Sequence, residues 1–224
     1  MRRWVGLLLA TALQSAPVTA KAGTLDLRLG GFAPQAKSDL FSNEQTLFTV
    51  DKHDWRGFTG GAQYAWRLGP HLELAAHLDG YGRTVQTHYR DFTGDSGREV
   101  RQSLKLSTVP LGLSLRLTPE SRHTSLFPYV AAGVDAIFWQ YEEFGDFIDF
   151  QDRTLPIVND SFVSRGVTPA VHAAAGLRVR LTDDVGLVGE VRYQVAKANM
   201  GRDFRGFKLD LTGGSATLGV ALNF

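Results

Sequence analysis

The last eight residues, Thr217-Leu-Gly-Val-Ala-Leu-Asn-Phe224, constrain the fold more than any other stretch. Leu218, Val220, Leu222 and Phe224 share one parity, and Thr217, Gly219, Ala221 and Asn223 share the other. In a strand these are opposite faces, one large and apolar, one small and partly polar. A soluble sandwich strand shows the same alternation. A strand whose large face meets lipid, with an aromatic at the interface, accounts for the alternation and for Phe224 together. After the N-terminal segment no run of about twenty apolar residues occurs, so a membrane helix is not expected there.

The N-terminal segment reads as an address. Arg2 and Arg3 precede an apolar stretch, Trp4 to Leu13, and Ala20-Lys21-Ala22 offers a small-x-small cleavage site before Gly23. This is the secretory pattern, so 1–22 is expected to be removed and 23–224 to form one domain. Removal takes away Arg2, Arg3 and Lys21 and no acid, leaving 21 basic against 23 acidic side chains. That balance gives no electrostatic case for nucleic acid. The chain has no cysteine, which excludes a disulfide framework, a thiolate metal site and a cysteine nucleophile.

The rest of the chain repeats the alternation. Leu25, Leu27 and Leu29 oppose Asp26 and Arg28. Phe58, Ala62, Tyr64, Trp66 and Leu68 oppose Gln63, Ala65 and Arg67, before a Gly69-Pro70 turn signal. Leu72, Leu74, Ala76 and Leu78 oppose Glu73, His77 and Asp79. Polar residues from about Thr84 to Arg98 read as loop. A fourth strand ends at Leu117, with Val109 to Leu117 outward on alternate positions and Arg116 inward. Leu104 and Leu106 lie on the inward parity, so a bulge is expected near Pro110. Phe127 to Gln140 is the fifth strand, with Val130, Val134 and Phe138 outward and Asp135 inward. Glu142 to Ser164 reads as a long acidic loop, or as an extra hairpin that would give ten strands. Val167 to Leu181 sets Val171, Leu177 and Leu181 against His172, Arg178 and Arg180. The seventh strand sets Val185, Leu187, Val191 and Val195 against Glu190 and Arg192. A short basic loop, Lys197 to Lys208, precedes the last strand, in which Leu209 and Leu211 are out of phase with Leu218, so a slip is expected near Gly213-Gly214.

Eight strands result, and long polar connections alternate with short turns. That sorting is expected of an all-β, eight-stranded antiparallel up-and-down transmembrane β-barrel. The pattern, with the terminal strand ending at Phe224, resembles the small bacterial outer-membrane barrels of the OmpA/OmpX type over nearly the whole chain after residue 22. The resemblance implies a place in the bacterial outer membrane, surrounded by lipid and lipopolysaccharide. It also implies that the C-terminal strand is read by the barrel-assembly machinery. Phe224 and Trp66 would lie near the periplasmic interface and Trp139 near the outer one.

With apolar faces outward, the inward faces carry a nearly balanced set: Asp26, Glu73, Asp79, Asp135 and Glu190 with Arg28, Arg67, Arg116, Arg178, Arg180 and Arg192, joined by His77 and His172. Buried charge is tolerable only when paired and hydrogen-bonded, and eight strands leave an interior just wide enough to fill with side chains. The expectation is a plugged, salt-bridged lumen, the alternative a narrow pore. His77 with Glu73 and Asp79 is a possible metal or acid/base group, but a hydrogen-bonded lumen explains it equally, and no cofactor, metal or catalytic residue is assigned.

His123-Thr-Ser125 resembles the His-x-Ser arrangement of outer-membrane lipid A deacylases, which leaves a lipid-modifying enzyme as a second alternative. It falls in an expected periplasmic turn, away from the outer leaflet where that chemistry occurs, so it is read as turn residues. The stretch 142–152 lacks the spacing of a calcium loop. It interleaves acids with Phe144, Phe147 and Phe150, which are candidates for contact with an extracellular partner. The expected function is non-enzymatic: structural, or binding through the extracellular loops.

Overall fold

The computed structural model describes residues 23–93, 97–118, 125–149, 152, 154 and 156–224. The expected secretory segment 1–22, His123 and Phe150 lie outside the described residues. The strands are β1 (Gly23–Pro34), β2 (Gly57–Arg67), β3 (Leu72–Thr93), β4 (Glu99–Leu117), β5 (Leu126–Ile148), β6 (Ile157–Arg180), β7 (Val185–Val195), β8 (Lys197–Asn199), β9 (Lys208–Asp210) and β10 (Gly213–Asn223). Eight of them close an antiparallel ring in the order β1-β10-β7-β6-β5-β4-β3-β2, while β8 and β9 pair only with each other. The C-terminal strand makes the closure. β10 pairs with β1 from Thr24↔Asn223 to Pro34↔Gly213, and with β7 on its other edge. A closed ring leaves no strand edge unpaired, which is the condition for β-structure to sit in hydrocarbon.

Strand alternation sorts the side chains radially. Leu29 and Leu218 stand opposite each other on the β1–β10 seam and are 76 % and 75 % exposed, whereas Asp26 and Arg116 are 0 % and 1 % exposed. Leu111, Leu113, Leu115, Val130, Val134, Val171, Leu187 and Val191 continue the apolar exterior around the ring. Such a belt, apolar outside and charged inside, is a membrane-spanning surface, because lipid reverses the usual cost of exposure. Short turns close one end. At Leu68–Leu72 the amides of Leu68 and Gly69 both donate to the Leu72 carbonyl, and at Thr182–Val185 the Thr182 hydroxyl accepts from the Val185 amide.

The opposite end differs from expectation in three ways. The expected loop from Thr84 is largely strand, with β3 and β4 pairing on from Val85↔Leu104 to His88↔Arg101. Glu142 to Ser164 is also mostly strand, since β5 and β6 pair without interruption from Phe138↔Val167 to Ile148↔Ile157. This hairpin lengthens two existing strands and adds none, so the ring has eight strands and not ten. No bulge occurs at Pro110: Val109↔Phe138, Pro110↔Ile137 and Leu111↔Ala136 hold one register, and the irregular step in β3–β4 lies farther out, between His88 and Thr93. Leu104 and Leu106 therefore point inward as regular strand residues, both 0 % exposed, because the interior is apolar at that height.

Trp139 belongs to the same correction. It shares the inward parity of Asp135 and is buried in the lumen rather than at the lipid interface, while Phe138 takes the outward position that the sequence assigned it. The phase break near Gly213 has a structural cause. Leu209 and Leu211 belong to the β8–β9 hairpin and the link after it, and both side chains are buried inside the open end of the barrel before β10 begins at Gly213.

Candidate functional site

The lumen has two layers. The one at the level of the lipid belt is ionic. Arg28 from β1 donates to Glu190 of β7 at 2.5 Å and to Asp79 of β3 at 3.1 Å. Arg192, two residues along β7 from Glu190, reaches the same two acids at 2.9 Å each and donates to Gln63 Oε1 at 3.2 Å. Arg116 of β4 lies over the Tyr129 ring, 4.0 Å from its centroid, and donates to Glu73 at 3.3 Å and Asp26 at 3.4 Å. Arg178 of β6 closes the set on Asp26 at 3.2 Å, and the Tyr129 hydroxyl donates to Glu190 at 2.8 Å. Four guanidinium groups thus meet four carboxylates across the barrel, each acid shared by two arginines or more. Sharing satisfies the lone pairs that isolated buried carboxylates would leave empty.

Asp135 stands apart from this set, between His77 and His172, with its Oδ2 2.8 Å from His172 Nδ1 and its Oδ1 3.0 Å from His77 Nε2. Arg67 and Arg180 share the inward parity but lie at the turn end of the barrel, exposed; Arg180 stacks on the Phe127 ring at 4.7 Å. Phe144 is 37 % exposed on the long β5–β6 hairpin, whereas Phe147 is buried against Phe162, with ring centroids 5.0 Å apart. Phe147 is therefore packing within the hairpin and is not presented at its surface.

Above the ionic layer the lumen turns apolar. The connection between β1 and β2 folds inward as helix α1 (Asp39–Leu47) and a 3-10 turn, Lys52–Trp55. The turn is fixed by reciprocal capping: Asp51 accepts from the Lys52 amide, and the Asp54 carboxylate accepts from the Asp51 amide at 2.8 Å. Phe41 of α1 meets Trp55 edge to face at 5.3 Å, Trp55 lies on Tyr141, and Tyr141 meets Phe204 at 5.3 Å. The Tyr81 hydroxyl donates to the Trp55 carbonyl. Leu104, Leu106, Ile137, Leu209 and Leu211 complete a core that seals the barrel at its loop end. Between the two layers remains a cavity of about 30 Å³, with Arg28, Tyr81, Thr108 and Arg192 among its lining residues.

One polar group interrupts the seal. Glu44 of α1 is 2 % exposed, and the Tyr141 hydroxyl bonds to its carboxyl group while lying 3.0 Å from Glu143. These groups lie beyond the lipid belt, whose last outward apolar side chains on β5 and β6 are Phe138 and Val167. Burial, and then the neighbouring Glu143 charge, hold the Glu44 carboxyl well above the usual carboxylate range. Burial likewise pushes Glu143 up to about 7. An acid that holds its proton more tightly when folded favours the closed cap at low pH. The contribution is full below the ordinary carboxylate value of 4.5 and is lost as pH rises through about 7 for Glu143 and through the raised value of Glu44. Hydrogen exchange of α1 amides is therefore expected to quicken as pH rises through that window, after correction for intrinsic exchange. Glu44→Gln is expected to flatten the dependence. An unchanged slope in Glu44→Gln would contradict it.

Sequence reasoning missed this cap. Tyr141, Trp55 and Phe41 sit in stretches read as strand end or connection, and no motif marks them. The inward parity of Leu104 and Leu106 was the available signal. Tyr129 and Gln63, both in the ionic layer, also lie on inward-facing parities.

No protein-family model matches the chain, and none of the curated proteins matches it. Solved structures do. Neisserial surface protein A is similar over 92 % of this chain and 98 % of its own, at 15 % identity and a TM-score of 0.53. The outer membrane protein OprG from Pseudomonas aeruginosa is similar over 92 % and 96 %, at 12 % identity and a TM-score of 0.55. The fold is that of the small eight-stranded outer-membrane barrels. This chain has that fold, with an apolar belt outside and an ionic lumen within.

Proposed function

We propose that the barrel is a closed, non-enzymatic outer-membrane protein whose working surface is its loop end. The observation that carries this reading is the double filling of the lumen, by shared ion pairs at membrane level and by an apolar core above them. Opening a path would require breaking both layers. What then remains for a partner is the pair of long hairpins, β3–β4 and β5–β6, where Phe92, Phe144, Ile157 and Val158 are exposed. Exposed apolar side chains on a solvent-facing hairpin mark a contact surface. At the belt, the partners are outer-membrane lipid and lipopolysaccharide, and folding passes through the assembly machinery by way of the strand ending at Phe224.

In planar bilayers the purified barrel is expected to give no steady conductance. Stepwise conductance abolished by Arg178→Ala would establish a pore in its place. Expression is expected to leave the lipid A mass spectrum unchanged, and a new lipid A species would establish a lipid-modifying enzyme. The contact surface is tested with labelled barrel in nanodiscs, applied to bacterial and animal cell surfaces. Phe144→Asp, Ile157→Asp and Val158→Asp together are expected to reduce binding at least tenfold. Binding to no surface, or binding indifferent to the three changes, would overturn the hairpin assignment.

A further inference from the structure

We propose that His77, Asp135 and His172 form a site for one divalent transition-metal ion of the zinc type inside the lumen. The three come from three strands of the ring, β3, β5 and β6, and each is buried, at 2 %, 6 % and 5 % exposure. One ligand atom from each lies within 4.8 Å of the others. The two imidazoles meet edge to face with centroids 5.1 Å apart.

Their hydrogen bonding is incomplete, unlike that of the arginine carboxylates beside them. Asp135 Oδ2 is hydrogen-bonded to His172 Nδ1 at 2.8 Å. Asp135 Oδ1 is 3.0 Å from His77 Nε2, so the carboxylate bridges the two rings, while His77 Nδ1 and His172 Nε2 have no partner. One nitrogen of each buried ring is thus left unmatched, and both rings share a single carboxylate. Unmatched buried polar atoms are costly. Two imidazole nitrogens and a carboxylate oxygen at ligand-to-ligand spacing, on rings that each keep an unmatched nitrogen, suit a shared cation.

The backbone makes room for the group. Gly112 lies directly across from His77 on one side and from Asp135 on the other, and Gly133 lies across from His172. A Cβ at Gly112 would fall 1.8 Å from Asp135 Oδ1 and 2.5 Å from His77 Cε1; one at Gly133 would fall 2.6 Å from His172 Cε1. The side chains lie flat over strands whose own side chains have been removed.

The donor set selects the ion. Two imidazoles and one carboxylate suit zinc, copper, nickel or iron(II), whereas calcium and magnesium prefer oxygen throughout. Asp79 Oδ2, 4.0 Å from His77 Nε2, adds negative charge beside the site while remaining paired to Arg28 and Arg192. A bound ion would tie three strands together at a point where the arginine network does not reach.

The test uses untagged protein refolded from urea into detergent, because the site is buried, with zinc or cobalt present and then removed from bulk by dialysis. The expected result is one zinc per folded chain, visible absorption bands of tetrahedral type for the cobalt form, and X-ray absorption showing two imidazole ligands. His77→Gln and His172→Gln are each expected to lower zinc occupancy at least tenfold, as is Gly112→Ala. His53→Ala, at an exposed histidine elsewhere, is expected to leave it unchanged. A folded wild-type barrel that retains no zinc or cobalt would overturn the proposal, as would zinc retained equally by both glutamine variants. X-ray absorption on the wild type decides the matter even where a variant fails to fold, since zinc with no imidazole ligand also overturns it.

Discussion

Arg116→Met is expected to lower sharply the temperature at which the compact, unboiled form of the barrel converts to the unfolded one. Arg116 is 1 % exposed, donates to Glu73 and Asp26, lies 3.9 Å from Glu190, and covers the Tyr129 ring. Methionine fills much of the volume but leaves acids in the lumen without their cation. Breaking a buried ion pair from one side costs about 3–5 kcal/mol. The size of the loss comes from the abandoned carboxylates, so neutralising one of them should restore part of it. Arg116→Met with Glu73→Gln is therefore expected to be more stable than Arg116→Met alone, and the double-mutant cycle measures the coupling. A single variant that melts like wild type would mean that the ionic layer is solvated and does not hold the lumen closed.

The second large effect separates cap from barrel. Trp55 is 1 % exposed, packed between Phe41 and Tyr141, and its carbonyl takes the Tyr81 hydroxyl. Trp55→Ala removes one of the two tryptophans of the apolar core, and truncations of this kind cost about 3–5 kcal/mol. The strand ladders of the ring involve none of its atoms. The expected outcome is a barrel that keeps its compact band while the segment 35–56 becomes open to protease and its α1 amides exchange rapidly. If the ring unfolds together with the cap, the two layers are one cooperative unit. If neither changes, Trp55 does not anchor the seal.

The ring was legible in the sequence because lipid on one side and charge on the other force a period of two. Leu25-Asp26-Leu27-Arg28-Leu29 declares both faces in five residues. The rule stops working where lipid stops. Beyond Phe138 and Val167 the exterior faces water and the interior is apolar, so the faces exchange character. Leu104 and Leu106 then resembled a bulge, and Glu142 to Ser164 resembled a loop. Both are straight continuations of strands whose inward side chains meet the cap.

The same physics limits what could be read about the site. Inward parity placed Arg28, Arg116, Arg178 and Arg192 in the lumen, but parity cannot say how far along the axis a charge sits, so it also swept in Arg67 and Arg180 at the rim. Nor does it reveal neighbours across strands. His77 invites association with Glu73 and Asp79 because they are close in sequence. Strand registers instead carry it across Gly112 to Asp135, and on to His172. Those registers depend on every turn in the ring, and no single stretch of sequence encodes them.

The central claim is that the large apolar faces meet lipid in a closed ring. Electrophoretic mobility of the outer-membrane fraction in detergent, with and without boiling, tests it most directly. The expected result is a protein recovered with the outer membrane whose unboiled band runs ahead of the boiled one, because a closed ladder resists detergent at room temperature. A protein found in the soluble periplasmic fraction, with one mobility under both conditions, would mean that Leu29, Leu218 and their neighbours are the core of a soluble assembly.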